Sequence, residues 1–290
     1  MPSLTGLLIG GVLPGVIALG LLAFLHVSFH QRVALLARIL PPVIVAIAFV
    51  PAPIVVNGKH DLWPLNASER ALAVALAAGI LGLLGAGVGR PRVVLIVPGI
   101  VCSAFASLSV LLPLHPHAVS TGLVVGASLV GAAWGGGATY LLARTEMAVP
   151  GARVPLMLAL VVFASSLVIL FSAIGTSAQQ VGALVAVLSS VAMVAFWTRR
   201  PTLGAAGFGA IVSILAYFLV GTWQLARNPA TGSLAIIATM VLSLPIAARF
   251  ASGGRSRSVI AWSALLFAAA IAVGWAFTIY HDAAKATPTW

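Results

Sequence analysis

The sequence predicts an all-α fold: a polytopic transmembrane helix bundle of about ten spans, forming one domain over residues 1–290. Three observations carry this. Hydrophobic residues make up 61% of the chain and charged residues 7%, against roughly 25% charged in soluble domains, so the chain could not cover a water-facing surface. Apolar runs of about 20 residues, the length that crosses a bilayer, recur from end to end. The basic residues stand singly or in pairs between those runs. Barrel strands would read as alternating segments of about ten residues. These runs are apolar on every face, and in lipid only a helix satisfies such a backbone internally.

Each span follows in order. The first covers 5–26 and is expected to be retained, because it lacks the positive n-region and small-x-small site of a signal peptide. It carries Gly6-x3-Gly10 and Gly11-x3-Gly15, spacings that let helix backbones approach closely. The second, 35–56, holds Pro41, Pro42, Pro51 and Pro53. It is expected to be bent or broken, since proline removes a helical hydrogen bond. Arg38 lies near its end and can snorkel to the interface. The longest connection, 57–70, leads to the third span at 71–88, and GRPR (89–92) turns the chain into the fourth, 93–114. That span contains the single cysteine, Cys102, which can form no disulfide within one chain and reads as a buried thiol. The fifth, 121–143, contains Gly126, Gly131 and the run Gly135-Gly136-Gly137. With Pro41 and Pro42, this run is a candidate helix break or cavity. The remaining spans are 154–174, 181–198, 203–221, 233–249 and 258–280. TRRPT (198–202) is a tight turn, and the eighth span carries Gly204, Gly207 and Gly209.

Orientation follows from charge. Of the fifteen lysines and arginines, Lys59, Arg70, Arg227 and Lys285 fall on the side of the N-terminus, and the other eleven fall on the opposite side. The positive-inside rule makes the arginine-rich side cytoplasmic. An even number of spans then puts both termini outside a bacterial-type cytoplasmic membrane. The net charge of +11 is explained by this distribution, and nucleic acid is not an expected partner. The expected surroundings are lipid and either a membrane-protein partner or further copies of the chain. Trp63, Trp197, Trp223, Trp290, Tyr140 and Tyr280 fall near span ends, as an aromatic belt requires.

Polar chemistry is sparse. Asp61, Glu69, Glu146 and Asp282 are all expected in connections or tails, leaving no carboxylate for a proton relay inside the bilayer. His26 and His30 share a helix face at the cytoplasmic end of the first span. His60, His115, His117 and His281 fall on the outer side, with Asp61 and Asp282 beside two of them. Imidazoles with carboxylates suit zinc or copper, and imidazole also ligates haem. The six outer residues are therefore the candidate polar or metal site, although no cofactor is otherwise expected. No GxSxG, HExxH or Walker-type GxxxxGK[ST] is present, so nothing points to an enzyme. At an offset of 110, Arg90-Pro91 aligns with Arg200-Pro201, Thr121-Gly122 with Thr231-Gly232, and Glu69 with Gln179. That offset predicts two added spans followed by two four-helix repeats.

In size and span count the chain is similar to the drug/metabolite transporter superfamily, which packs ten helices into about this length. The likeness is architectural and involves no motif. It departs in orientation, because that family is read with cytoplasmic termini. The expected function is a permease-like carrier of a neutral or apolar small solute. The alternatives are a non-catalytic subunit of a larger membrane complex and a metal- or haem-handling protein using the outer histidines. A cavity lined by Ser, Thr or Gln would favour the carrier; a solid bundle with an exposed small-residue face would favour the subunit.

Overall fold

The computed structural model describes residues 12–28, 36–49, 91–115, 117–149, 151–172, 174–199, 203–226 and 229–286, with Arg70 and six helical positions between 73 and 81. The described residues form nine helices and no strands. They are α1 (Leu13–Ser28), α2 (Leu36–Phe49), α3 (Pro91–Leu111), α4 (Thr121–Ala148), α5 (Arg153–Phe171), α6 (Gly175–Thr198), α7 (Gly204–Leu225), α8 (Thr231–Ser252) and α9 (Arg255–Ala286), with a 3-10 turn at Leu112–Leu114 after α3. The seven helices α3 to α9 are long and apolar enough to cross a membrane, and α1 contributes a shorter apolar stretch, Leu13–Phe24. Large apolar side chains face outward, among them Phe196, Ile246 and Phe267. An apolar exterior of this kind is compatible with lipid and unsuited to water.

α7 is the most enclosed helix. It packs along α3, α4 and α2, while α3 pairs with α4, α5 with α6, and α8 with α9. Small residues set the closest approaches. A Cβ on Gly135 would collide with Ser103 and the Gly99 carbonyl, and one on Gly131 would collide with Ser107. α3 and α4 therefore meet through residues spaced four apart on each helix, the arrangement by which small residues bring backbones together in membranes. α7 joins the same seam: Gly209 lies against Pro98 and Gly99, and the Ser103 and Ser213 hydroxyls are 3.4 Å apart. α1 crosses α6 at Gly15, whose carbonyl accepts a hydrogen bond of 2.7 Å from Ser190 Oγ.

Several expectations change here. α4 is continuous through Gly135–Gly137, and α2 is helical through Pro41 and Pro42. Gly135 admits α3 without interrupting its own helix, because an internal glycine with helical dihedrals costs only about 1 kcal/mol. Gly6, Gly10, Gly11, Pro51 and Pro53 lie outside the described residues. α4 runs on to Ala148, so Glu146 belongs to its last turn and not to a connection. Asp282 likewise falls within α9 and not in a tail. GTSAQQ (175–180) forms the first turns of α6. Hydropathy marks where a helix stops being apolar, and these helices continue beyond that point.

The contact between Ser103 and Ser213 joins two positions separated by 110 in sequence. Gly99 and Gly209, which adjoin each other, are separated by the same interval. The neighbouring pairs differ, however: α3 packs closely on α4, whereas α7 scarcely touches α8.

Candidate functional site

The α5–α6 link at 172–174 and the end of α7 lie at the same end of the bundle, where α6 and α7 barely touch. Between them is a cavity of about 110 Å³. α6 contributes Thr176, Ser177 and Gln180 to its wall, and α7 contributes Tyr217, Phe218 and Thr222. The spacing of 176, 177 and 180 places those three side chains on one face of a helix. Thr176 and Leu225 are exposed at the rim, whereas Gln180 and Thr222 are each 1% exposed. Among the described residues, none of those lining the cavity is a carboxylate, lysine, arginine or histidine.

Two features of this wall call for a partner. Both polar atoms of the Gln180 amide are buried without a hydrogen bond, and so is the Thr222 hydroxyl. Leaving such a group unmet costs about 1–3 kcal/mol, and most buried polar groups avoid it. Thr139 and Ser233 are also buried without a partner, but neither lines this cavity, and Ser165 and Ser172 bond back to Val161 and Val168. The second feature is the helix ends. No side chain caps the start of α6 at Ile174, so its first N–H groups lack side-chain acceptors. The last turn of α7 borders the same space with its carbonyl end. One cavity thus lies between the positive end of one helix dipole and the negative end of another.

The Arg70 guanidinium donates to the Ser109 carbonyl at 3.3 Å. Phe49 meets Phe218, one of the lining residues, edge to face at 6.3 Å.

No family model, curated protein or solved structure matches this chain. What it does must be read from its own groups.

The outer residues singled out by sequence are distributed as follows. His60 and Asp61 lie outside the described residues. His115 shares a hydrogen bond of 2.9 Å with Thr121, beside the start of α4, and His117 is exposed. His281 stacks on Phe277 and stands 3.9 Å from Asp282, both side chains being exposed. Among the described residues, no three His, Cys, Asp or Glu side chains gather as a metal would require.

At the opposite end of the bundle, Glu146 is 1% exposed. Its carboxylate accepts the backbone N–H groups of Leu203 at 3.2 Å and Gly204 at 3.0 Å, the first of α7. Gly204 has φ +60, a left-handed conformation open to glycine, and the chain enters α7 through it. A carboxylate at this position meets both the orphan donors and the positive dipole end. Arg144, Arg153, Arg199, Arg249, Arg255 and Arg257 surround the three connections at this end.

Proposed function

We propose that this chain is a permease-like carrier of a small, uncharged solute, with the cavity between α6 and α7 as its binding site. The observation that carries the reading is the pair of buried, unpartnered groups, Gln180 and Thr222, on a wall without ionised side chains. Pockets that hold small molecules combine apolar walls with a few placed polar groups, and unmet hydrogen bonds are what a neutral polar solute would complete. Gly99, Ser103, Gly131 and Gly135 are consumed in packing α3 against α4, whereas the space between α6 and α7 stays open. We also propose that the arginine-rich end, with Glu146, faces the cytoplasm and that the cavity lies toward the outer face.

Uptake into proteoliposomes tests the carrier reading directly. Small neutral polar solutes should enter faster than into protein-free vesicles, and Thr222→Val should slow that entry. The same substitution should raise the thermal stability of the solute-free protein, because it removes an unmet hydroxyl worth about 1 kcal/mol. Entry no faster than leakage for every solute would reject the reading.

A second reading is favoured by one observation. Gly122, Gly126 and Gly137 of α4 face open space, with no neighbour within 4 Å of a Cβ built on them. A small-residue face of that kind suits another membrane helix, so an assembly role is the alternative. Crosslinking between cysteines placed at 122 and 126 in adjacent copies or partners would support it.

A further inference from the structure

We infer that the solute is a small primary carboxamide or urea-type molecule, recognised by its adjacent donor and acceptor. This rests on the carrier reading and narrows it. The side-chain amide of Gln180 has both Oε1 and Nε2 unpartnered, on a residue that is 1% exposed and lines the cavity. A hydroxylated solute could satisfy one atom at a time. A carboxamide or urea satisfies both together, because its N–H and C=O lie side by side in one plane and mirror those of glutamine. The unmet Thr222 hydroxyl supplies a third bond, as either donor or acceptor.

The helix ends favour the same class. The start of α6 offers uncapped N–H groups and the end of α7 offers carbonyls. A net charge gains from one end and loses to the other. A strong dipole gains from both, with its carbonyl toward α6 and its N–H groups toward α7. Amides and ureas are uncharged and strongly dipolar. Tyr217 and Phe218, with ring centroids 5.4 Å apart, supply an aromatic wall for a flat molecule. The volume of about 110 Å³ admits several water-sized groups, which suits a solute of a few heavy atoms.

The test uses the full chain in nanodiscs and equilibrium binding of radiolabelled acetamide. Competitors are propionamide and urea, then acetone (acceptor only), N,N-dimethylacetamide (no donor), ethylene glycol and acetate. Propionamide and urea should displace the label, with acetone and dimethylacetamide at least about tenfold weaker, because a site built around a donor rejects analogues lacking it. Gln180→Leu should abolish acetamide binding while leaving thermal stability equal or higher, and Gln180→Glu, nearly isosteric, should weaken it by at least about tenfold. Thermal unfolding of each variant shows that it is folded. Dimethylacetamide or acetate binding as tightly as acetamide would overturn the amide assignment. Binding of ethylene glycol but not acetamide would overturn it while leaving a neutral-solute carrier. Binding of none of the probes, with no uptake of any neutral solute, would remove both.

Discussion

Glu146 shows how much a single side chain can do in a chain with four acids. Its carboxylate is buried, yet it meets the N–H groups of Leu203 and Gly204, so its charge is matched by orphan donors that otherwise have no helical partner. Hydrogen bonds to a charged group are worth about 1.5–3 kcal/mol. Glu146→Ala should therefore lower unfolding stability by at least that amount, measured by thermal or denaturant unfolding in detergent. Glu146→Gln keeps one acceptor oxygen and should lose less. An alanine variant as stable as the parent would show that the cap contributes nothing. The contrast with Gln180 is instructive. One buried polar side chain has its partners within the protein; the other has none among the described residues.

Helix existence and order were largely legible at the scale of elements, because an apolar run has few alternatives in lipid. Helix ends were not. The last turns of α4 and the first turns of α6 are polar, and polarity in sequence is indistinguishable from a loop. For that reason the cavity proposed as the site did not stand out. Gln180 and Thr222 fall just outside the apolar runs 181–198 and 203–221, so they read as connection residues. The signal available was the spacing of Thr176, Ser177 and Gln180 in a segment without lysine or arginine. Of the outer histidines, His115 meets Thr121 and His281 meets Phe277, while His60 and Asp61 lie outside the described residues. The glycines divide into two kinds that sequence cannot separate. Gly135 is pressed against Ser103, whereas Gly137 faces open space. Gly135→Ala should destabilise by about 1–3 kcal/mol through overpacking. Gly137→Ala should be neutral or stabilise by up to about 1 kcal/mol through helix propensity. Paired unfolding measurements check this, and equal effects would show that the α3–α4 contact is looser than described.

Across the whole molecule, charge and packing are arranged end to end. Six arginines surround the connections where Glu146 caps α7, and the cavity opens at the far end of the same helix. α7 thus links a charge-rich end to an end with unfilled space, and the proposed carrier would need some element held at one end and able to yield at the other. Reporter fusions after Arg92 and Arg200 should report cytoplasmic, and fusions after His117 and at the C-terminus should report external. A cytoplasmic C-terminus would reverse the proposed orientation or change the number of spans.

The cap on α7 also has a consequence for biosynthesis. Glu146 precedes Leu203 by 57 positions, an interval of roughly 3–11 s at roughly 5–20 residues per second. Throughout that interval the carboxylate lacks these two partners. The packing of the end of α4 against the start of α7 therefore waits for α7, and the ribosome, by the order in which it releases the chain, sets when that happens. Arrested nascent chains ending before Leu203 should leave a cysteine placed at 145, a position buried in the folded chain, open to a water-soluble thiol reagent, and chains long enough to insert α7 should protect it. Equal labelling of both would mean that α4 reaches its place without the cap.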